Sequence, residues 1–336
     1  MEQLIVVFLV LLYTGNGGTQ NITGVGFQPD FTWIKSRSYA TDHQIYDSVR
    51  GTTKALDSQH TGIEETMTTG LTSFDTDGFT SGAEVRSNTS GQTYVAWNWK
   101  ANGSGSSNTN GTTNSTVSAN VDAGFSIVSY TGSSGPDTIG HGLSKAPEMI
   151  IVKDRSSAQE WLVYHHSLTD AKDKYLRLDT TSAVADNTFW NDTAPTSSVF
   201  SVGTHGTNVN GATQIAFCFH DVAGYSKFGS YTGNGTTNNQ ITTGFKPALV
   251  IIKNAVANYR WYILDNNRDA TNPAFHRLFA GNTQDESTNS TILEFNDTGF
   301  KLITSDAEVN QNNSNHVYMA FADTREYAYW YDQSGN

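Results

Sequence analysis

The sequence predicts an all-β fold, built as three tandem β-sandwich repeats of about 100 residues with a jelly-roll or lectin-like plan. Three observations carry this expectation. The 336-residue chain repeats itself three times. Its apolar runs are short, rich in β-branched and aromatic residues, and bounded by Gly, Asn, Asp or Pro. No window sustains a 3.6-residue period with caps, and Asp170–Lys174 offers one helical turn at most.

The first element is the apolar run Leu4–Leu12, LIVVFLVLL. It is too short to span a bilayer, which takes about 20 residues. Acidic Glu2 precedes it and no small-x-small cleavage site follows, so it reads as a buried first strand rather than a signal segment. Tyr13-Thr14-Gly15 comes next and returns as Tyr130-Thr131-Gly132 and Tyr231-Thr232-Gly233. Each copy leads through a Gly/Asn/Thr-rich turn to a glycine, a hydrophobe and then Pro29, Pro147 or Pro247. After each proline comes a mostly apolar run closed by lysine: Phe31–Lys35, Met149–Lys153 and Leu249–Lys253. Those runs do not alternate, which predicts strands buried on both faces. Each copy then ends in a strand around alanine and an aromatic: Tyr94–Trp97, Gln214–Phe217 and Tyr318–Phe321. The middle copy adds candidate strands at Phe125–Tyr130, Glu160–His165, Lys174–Leu178 and Val199–Gly203.

Equivalent lysines lie 118 and then 100 residues apart. The longer interval contains ANGSGSSNTNGTTNSTVSAN, whose composition reads as a flexible linker. The expected organisation is therefore repeat 1 over 1–100, a linker over 101–121, repeat 2 over 122–222 and repeat 3 over 223–323. An aromatic tail occupies 324–336. Repeats 2 and 3, joined by the tight turn Asp221–Gly224, are expected to pack as a rigid pair, with repeat 1 more loosely tethered.

Composition narrows the chemistry. Charged residues make up 15% of the chain and the net charge is −12, so a nucleic-acid footprint of clustered Lys and Arg is excluded. The single cysteine, Cys218, rules out an intrachain disulfide or a Cys-based zinc site and reads as a buried small hydrophobe. Glu64-Glu65, Asp75/Asp77 and Asp285-Glu286 are the densest carboxylates, but they fall in loops without a facing partner. Asp75-Thr76-Asp77-Gly78 resembles the start of a calcium loop, yet its terminal acidic ligand is missing. A hairpin turn accounts for it and for the corresponding stretches Phe189–Asp192 and Phe295–Gly299. His165 and His166 are adjacent on a strand and so point to opposite faces; His141, His205 and His220 are scattered. No catalytic residue, cofactor or metal site is assigned. Trp190 in a loop-like stretch, and Tyr327, Tyr329, Trp330 and Tyr331 in the tail, are the candidate interface or saccharide-stacking residues.

The strings YTGNGGTQNITGVGFQPDFTWIK, DTDGFTSG, TYVAWNWKANG, GFSIVSYTG, WNDTAPTSSVFSVGT, YSKFGSYTGNGTTNN and VYMAFAD resemble a repeat family of tailed phages, common in marine and cyanobacterial phages. The resemblance runs from about Tyr13 to Asp323. Members are described as tail-fibre-like or virion structural proteins, so it implies a place on the virion surface and carries over no site residues. The expected function is a non-enzymatic tail-fibre or capsid-surface component that adheres to host-surface glycans. Its expected partners are other virion proteins and host glycan, with no nucleic acid and no membrane span, and a homotrimer is the expected assembly. The rival readings are a secreted or cell-surface lectin-like protein and a polysaccharide depolymerase.

Overall fold

A computed structural model of the chain describes residues 7–269 and 271–322. Its architecture is all-β, and its strands pair antiparallel. Three large sheets share one strand order. The first runs Phe8–Thr14, Thr93–Trp99, Phe31–Ser36, Gln44–Asp47. The last runs Ser226–Thr232, Asn315–Ala322, Pro247–Asn254, Tyr262–Asp265, Leu278–Phe279. The middle sheet keeps that order in Phe125–Thr131, Thr213–Phe219, Met149–Asp154, Leu162–His165 and Lys174–Arg177. Register agrees as well: Lys35, Lys153 and Lys253 stand opposite Val95, Ile215 and Val317. Helix among the described residues is confined to Val85–Asn88, Ala307–Asn310 and the 3₁₀ turn Thr188–Trp190. No helix there is long and apolar enough to cross a membrane.

Each large sheet covers a small one. The small sheets are built on Gln20–Thr23 with Gly78–Ser81, Asp137–Gly140 with Val199–Val202, and Asn239–Thr242 with Gly299–Leu302. Side chains alternate along a strand, so each lysine-ended strand feeds two cores. Ile34, Val152 and Ile252 fill three separate cores with residues of the small sheets. Trp33, Ile151 and Ile251 point the other way, into one core shared by all three segments. This is why those runs do not alternate: both faces are buried. Tilted and edge-to-face rings cross between segments in the shared core, with Phe31 4.6 Å from Phe217 and Phe8 5.2 Å from Phe321.

The segments close a ring. His43, Trp161 and Trp261 occupy one position, immediately before Gln44–Asp47, Leu162–His165 and Tyr262–Asp265. A ring nitrogen of each bonds a main-chain carbonyl of the neighbouring segment: Phe279 at 3.0 Å, Asp57 at 2.9 Å and Arg177 at 2.7 Å. Backbone bonds repeat the pattern, from Glu286 N to Arg37 O, Glu64 N to Arg155 O and Val184 N to Ala255 O. The first segment thus holds the third, the second holds the first, and the third holds the second.

Side chains at these junctions differ in a concerted way. Arg155 and Arg50 both bind Glu64, and Arg50 also pairs with Asp47. Arg37 and Arg268 share Glu286 in the same manner, and Arg268 also pairs with Asp265. At the third junction the corresponding positions are Ala255, Val184, Leu168 and His165, and the first three join the shared core. Burial holds the His165 imidazole well below its usual range, so none of these four side chains is charged near neutral pH. An ionic network has been exchanged whole for apolar packing, which strands no buried charge.

The recurrent Tyr-Thr-Gly has an architectural explanation. The hydroxyls of Tyr13, Tyr130 and Tyr231 donate to the carbonyls of Ser87, Thr207 and Val309, at 2.7, 2.6 and 2.5 Å. The residue after each of those carbonyls is an asparagine. The side chains of Asn88, Asn208 and Asn310 accept the amides of Asn16, Ser133 and Asn234, which follow the three glycines.

Several expectations need correction. The 101–121 stretch is no free linker: Ser106–Asn108 and Ser115–Asn120 form strands that extend the middle sheet beyond Phe125–Thr131. Cross-strand hydrogen bonding orders a composition that could not order itself. Nor is the first segment loosely tethered, because the shared core and two of the three junctions hold it. Hairpin turns do connect Asp75 to Gly78 and Asn296 to Gly299, but the middle copy has the 3₁₀ turn instead. Within the first apolar run the strand is Phe8–Thr14, and Leu4–Val6 lie outside the described residues.

Candidate functional site

Most of the ionisable groups singled out in the sequence serve the fold. Asp75 accepts from Thr80 and Asn21, and Asp77 accepts the amides of Gly24 and Gly26, so both carboxylates are spent within their hairpin region. Cys218 is fully buried beneath the middle sheet, and burial pushes its thiol well above the usual range. His165 is buried and bonds the carbonyl of Tyr318, whereas exposed His166 reaches that of Phe228; their rings stack 5.5 Å apart rather than facing opposite ways. Trp190 is not an exposed platform. It is 1% exposed, donates to Lys174 O at 2.9 Å and packs edge-on against Tyr164, because the 3₁₀ turn folds it inward. Tyr327, Tyr329, Trp330 and Tyr331 lie outside the described residues.

Among the described residues, one cluster has metal-ligand residue types: Asp42, Asp57 and His60. The guanidinium of Arg86 lies 3.1 Å from Asp57 and 3.8 Å from Asp42, and so already supplies the opposing charge. Burial, only partly offset by Arg86, lifts the Asp57 carboxyl to about 7. The geometry describes an arginine-centred junction.

A cleft with polar lining lies where the middle sheet meets the last. It has a volume of about 380 Å³ and is lined by Lys145, Glu148, Tyr164, His166, His220 and Asp221, with Pro147 and Pro195 among its walls. Glu148 precedes the core strand, on the residue after Pro147. Its backbone N–H bonds Phe219 O at 2.7 Å, and its carboxylate accepts the amide of Asp221. Burial, reinforced by the neighbouring Asp221, lifts the Glu148 carboxyl to about 7. Asp221 is held by Lys227 on one oxygen and by the amide of Phe228, at 2.6 Å, on the other. The His220 ring bonds Asp221 O through Nδ1, and burial depresses its basicity. Burial also pushes the Tyr164 phenol up to about 12, so it stays a neutral hydrogen-bonding group.

Chemically, this lining offers groups that can both donate and accept hydrogen bonds. It does not present a free carboxylate pair, since Asp221 is engaged on both oxygens. A smaller cleft of about 210 Å³ occupies the matching place on the last sheet, lined by Asn266, Asp269, Thr271, Asn272 and Phe295 among others. Sequence reasoning named His166, His220 and Asp221 singly but did not join them or single out Glu148 and Tyr164. Glu148 and Asp221 are 73 positions apart, and only the pairing of Met149–Asp154 with Thr213–Phe219 brings them together.

Comparison with curated proteins and with solved structures returns no match. A family model does match, over residues 7–325, and the chain belongs to that family, described as a domain of unknown function (DUF7483).

Proposed function

We propose that this chain is a non-enzymatic virion surface protein, carried on a tail fibre or the capsid, that adheres to host-surface glycans. The observation that carries the reading is the disposition of polar groups. Buried acids and bases are tied into main-chain and inter-segment bonds, while the open cleft presents amine, carboxyl, imidazole and phenol groups that form hydrogen bonds. Such a lining suits hydroxyl-rich ligands, which both donate and accept. The resemblance to phage repeat proteins supports the location, and assembly as a homotrimer belongs to the same reading. Mass spectrometry of purified particles should find the chain, and the soluble protein should compete with those particles for adsorption to host cells. Absence from the particles removes the proposal. Sedimentation of the purified protein at the mass of one chain removes the homotrimer alone.

One observation favours a second reading, a polysaccharide depolymerase. A carboxyl lifted to about 7 in a cleft is the kind of group that serves as a general acid. Release of reducing ends from host polysaccharide, lost in Glu148→Gln, would establish it. With Asp221 engaged on both oxygens, we expect no release.

A further inference from the structure

The cleft on the middle sheet has an internal counterpart that shows what such a place can hold. After the last strand of the first sheet, the chain crosses the end of that same sheet. There the Asp30 carboxylate accepts the amides of Ala101 at 2.8 Å and Gly103 at 3.0 Å, and Ser48 Oγ donates to Gly103 O at 2.6 Å. A carboxylate and a hydroxyl thus grip two donors and one acceptor side by side. On the middle sheet Glu148 stands at the position of Asp30 and His166 at that of Ser48. The backbone fixes both equivalences: Ser48 N bonds Asp30 O and His166 N bonds Glu148 O, each at 2.8 Å.

What differs is the path of the connecting chain. Glu148 keeps the first of these bonds, to the amide of Asp221. The chain then turns back, with Tyr225 N and Ser226 N both bonding Val222 O, and enters the next strand. His166 meets the carbonyl of Phe228 at 2.9 Å where Ser48 meets that of Gly103. The 380 Å³ cleft opens beside Glu148 and His166 because no described chain segment crosses there as 101–103 crosses the first sheet.

We propose that this cleft binds a single pyranose residue through a pair of adjacent hydroxyls, with Glu148, His166 and Lys145 as the groups that grip it. The inference rests on the adhesion reading and assigns it a site. A vicinal diol offers neighbouring donors and acceptors, as the Gly103 peptide does on the first sheet. A sugar fits better than a second peptide because carboxyl, imidazole and phenol groups line the cleft together. Each of these can donate or accept according to its protonation, as hydroxyl ligands require, whereas main-chain groups have fixed roles. Pro147, Pro195 and the ring of Tyr164 supply apolar wall for the carbon-bound hydrogens of the sugar.

The test is calorimetric titration of the intact protein with methyl glycosides of glucose, galactose, mannose and N-acetylglucosamine, and with acetyl-Ala-Asn-Gly-amide as the peptide rival. Intact host polysaccharide is titrated in parallel. Lys145→Ala removes an exposed side chain, and Glu148→Gln keeps an acceptor for the Asp221 amide, so both variants should melt as the parent does. The proposal expects saturable binding of at least one glycoside, weakened tenfold or more in each variant. Polysaccharide binding that both variants retain in full overturns this site and leaves the adhesion reading standing. Binding of the tripeptide but of no glycoside replaces the sugar by a peptide. Binding of neither polysaccharide nor glycoside overturns the site and the adhesion reading together.

Discussion

Gly132 closes a Tyr-Thr-Gly whose tyrosine hydroxyl is already fixed, and it has no room for a side chain. A Cβ there would lie 2.2 Å from Val209 O, and at Gly233 it would lie 2.1 Å from Gln311 O. Gly132→Ala and Gly233→Ala should each cost about 2 kcal/mol or more, read as a lower urea midpoint. Tyr130→Phe should cost about 1–3 kcal/mol by the same measure, because it strands the buried Thr207 carbonyl. The three buried lysines make a pH prediction. Burial lowers each ammonium from 10.5 to about 8. Between those values the unfolded chain holds protons that the folded chain has released, so stability rises with pH. Above about 10 the buried tyrosines work in the opposite sense, since an unfolded phenol ionises there. The urea midpoint should therefore climb from pH 8 toward 10, and Lys153→Met should flatten that climb. A midpoint that falls over this window contradicts the assignment. Lysine, tyrosine and glycine are all legible in the sequence because repetition exposes them. The loop asparagines Asn88, Asn208 and Asn310 are hidden among many others, although each binds the turn after Tyr-Thr-Gly.

At the scale of elements, the instructive case is Ser115–Asn120. Its composition is that of a linker, yet Ser115, Val117 and Ser118 are buried. The strand forms because Phe125–Thr131 presents an edge with unpaired backbone groups, and pairing satisfies both partners. Local sequence carries no trace of that edge, which is why composition alone misjudges the segment. Limited proteolysis should leave 115–120 uncut under native conditions, where a free linker would be cleaved first. Val117→Asp should expose this segment to protease, because it places a carboxylate among Val128, Ile139 and Leu143. The double-faced core strands are the reverse case. Their lack of alternation is visible in the sequence, and burial on both faces is the physical cause. Trp190 turns inward for a third reason. A short 3₁₀ turn, capped by Asn187 and ended by Asn191 in the left-handed region, reverses the direction that loop composition suggests.

For the whole molecule, the shared core makes the three segments one cooperative body, so calorimetric unfolding should show a single transition. Two separated transitions would mean that the segments fold independently. The junctions also provide a natural exchange experiment. Glu64→Val alone leaves Arg155 without its carboxylate and Arg50 short of one, and should cost about 3–5 kcal/mol. Glu64→Val combined with Arg155→Ala, Arg50→Leu and Asp47→His copies the third junction and should recover most of that loss. If the quadruple variant is no more stable than the single one, the two kinds of junction are not interchangeable. The ring itself is beyond the sequence. Repeats show that three similar segments exist, but which segment grips which depends on contacts such as His43 with Phe279, 236 positions apart.

Ring closure also decides how the molecule would bear a pull. Phe8 and Phe321 touch, so the two ends of the described chain meet at the junction of the first and third segments. Tension applied there would bypass the middle segment and fall on one seam: Arg37 with Glu286, His43 with Phe279, and the aromatic rings between them. The protein should behave under load as a clasp that holds until that seam parts, rather than as a string of beads extending one by one.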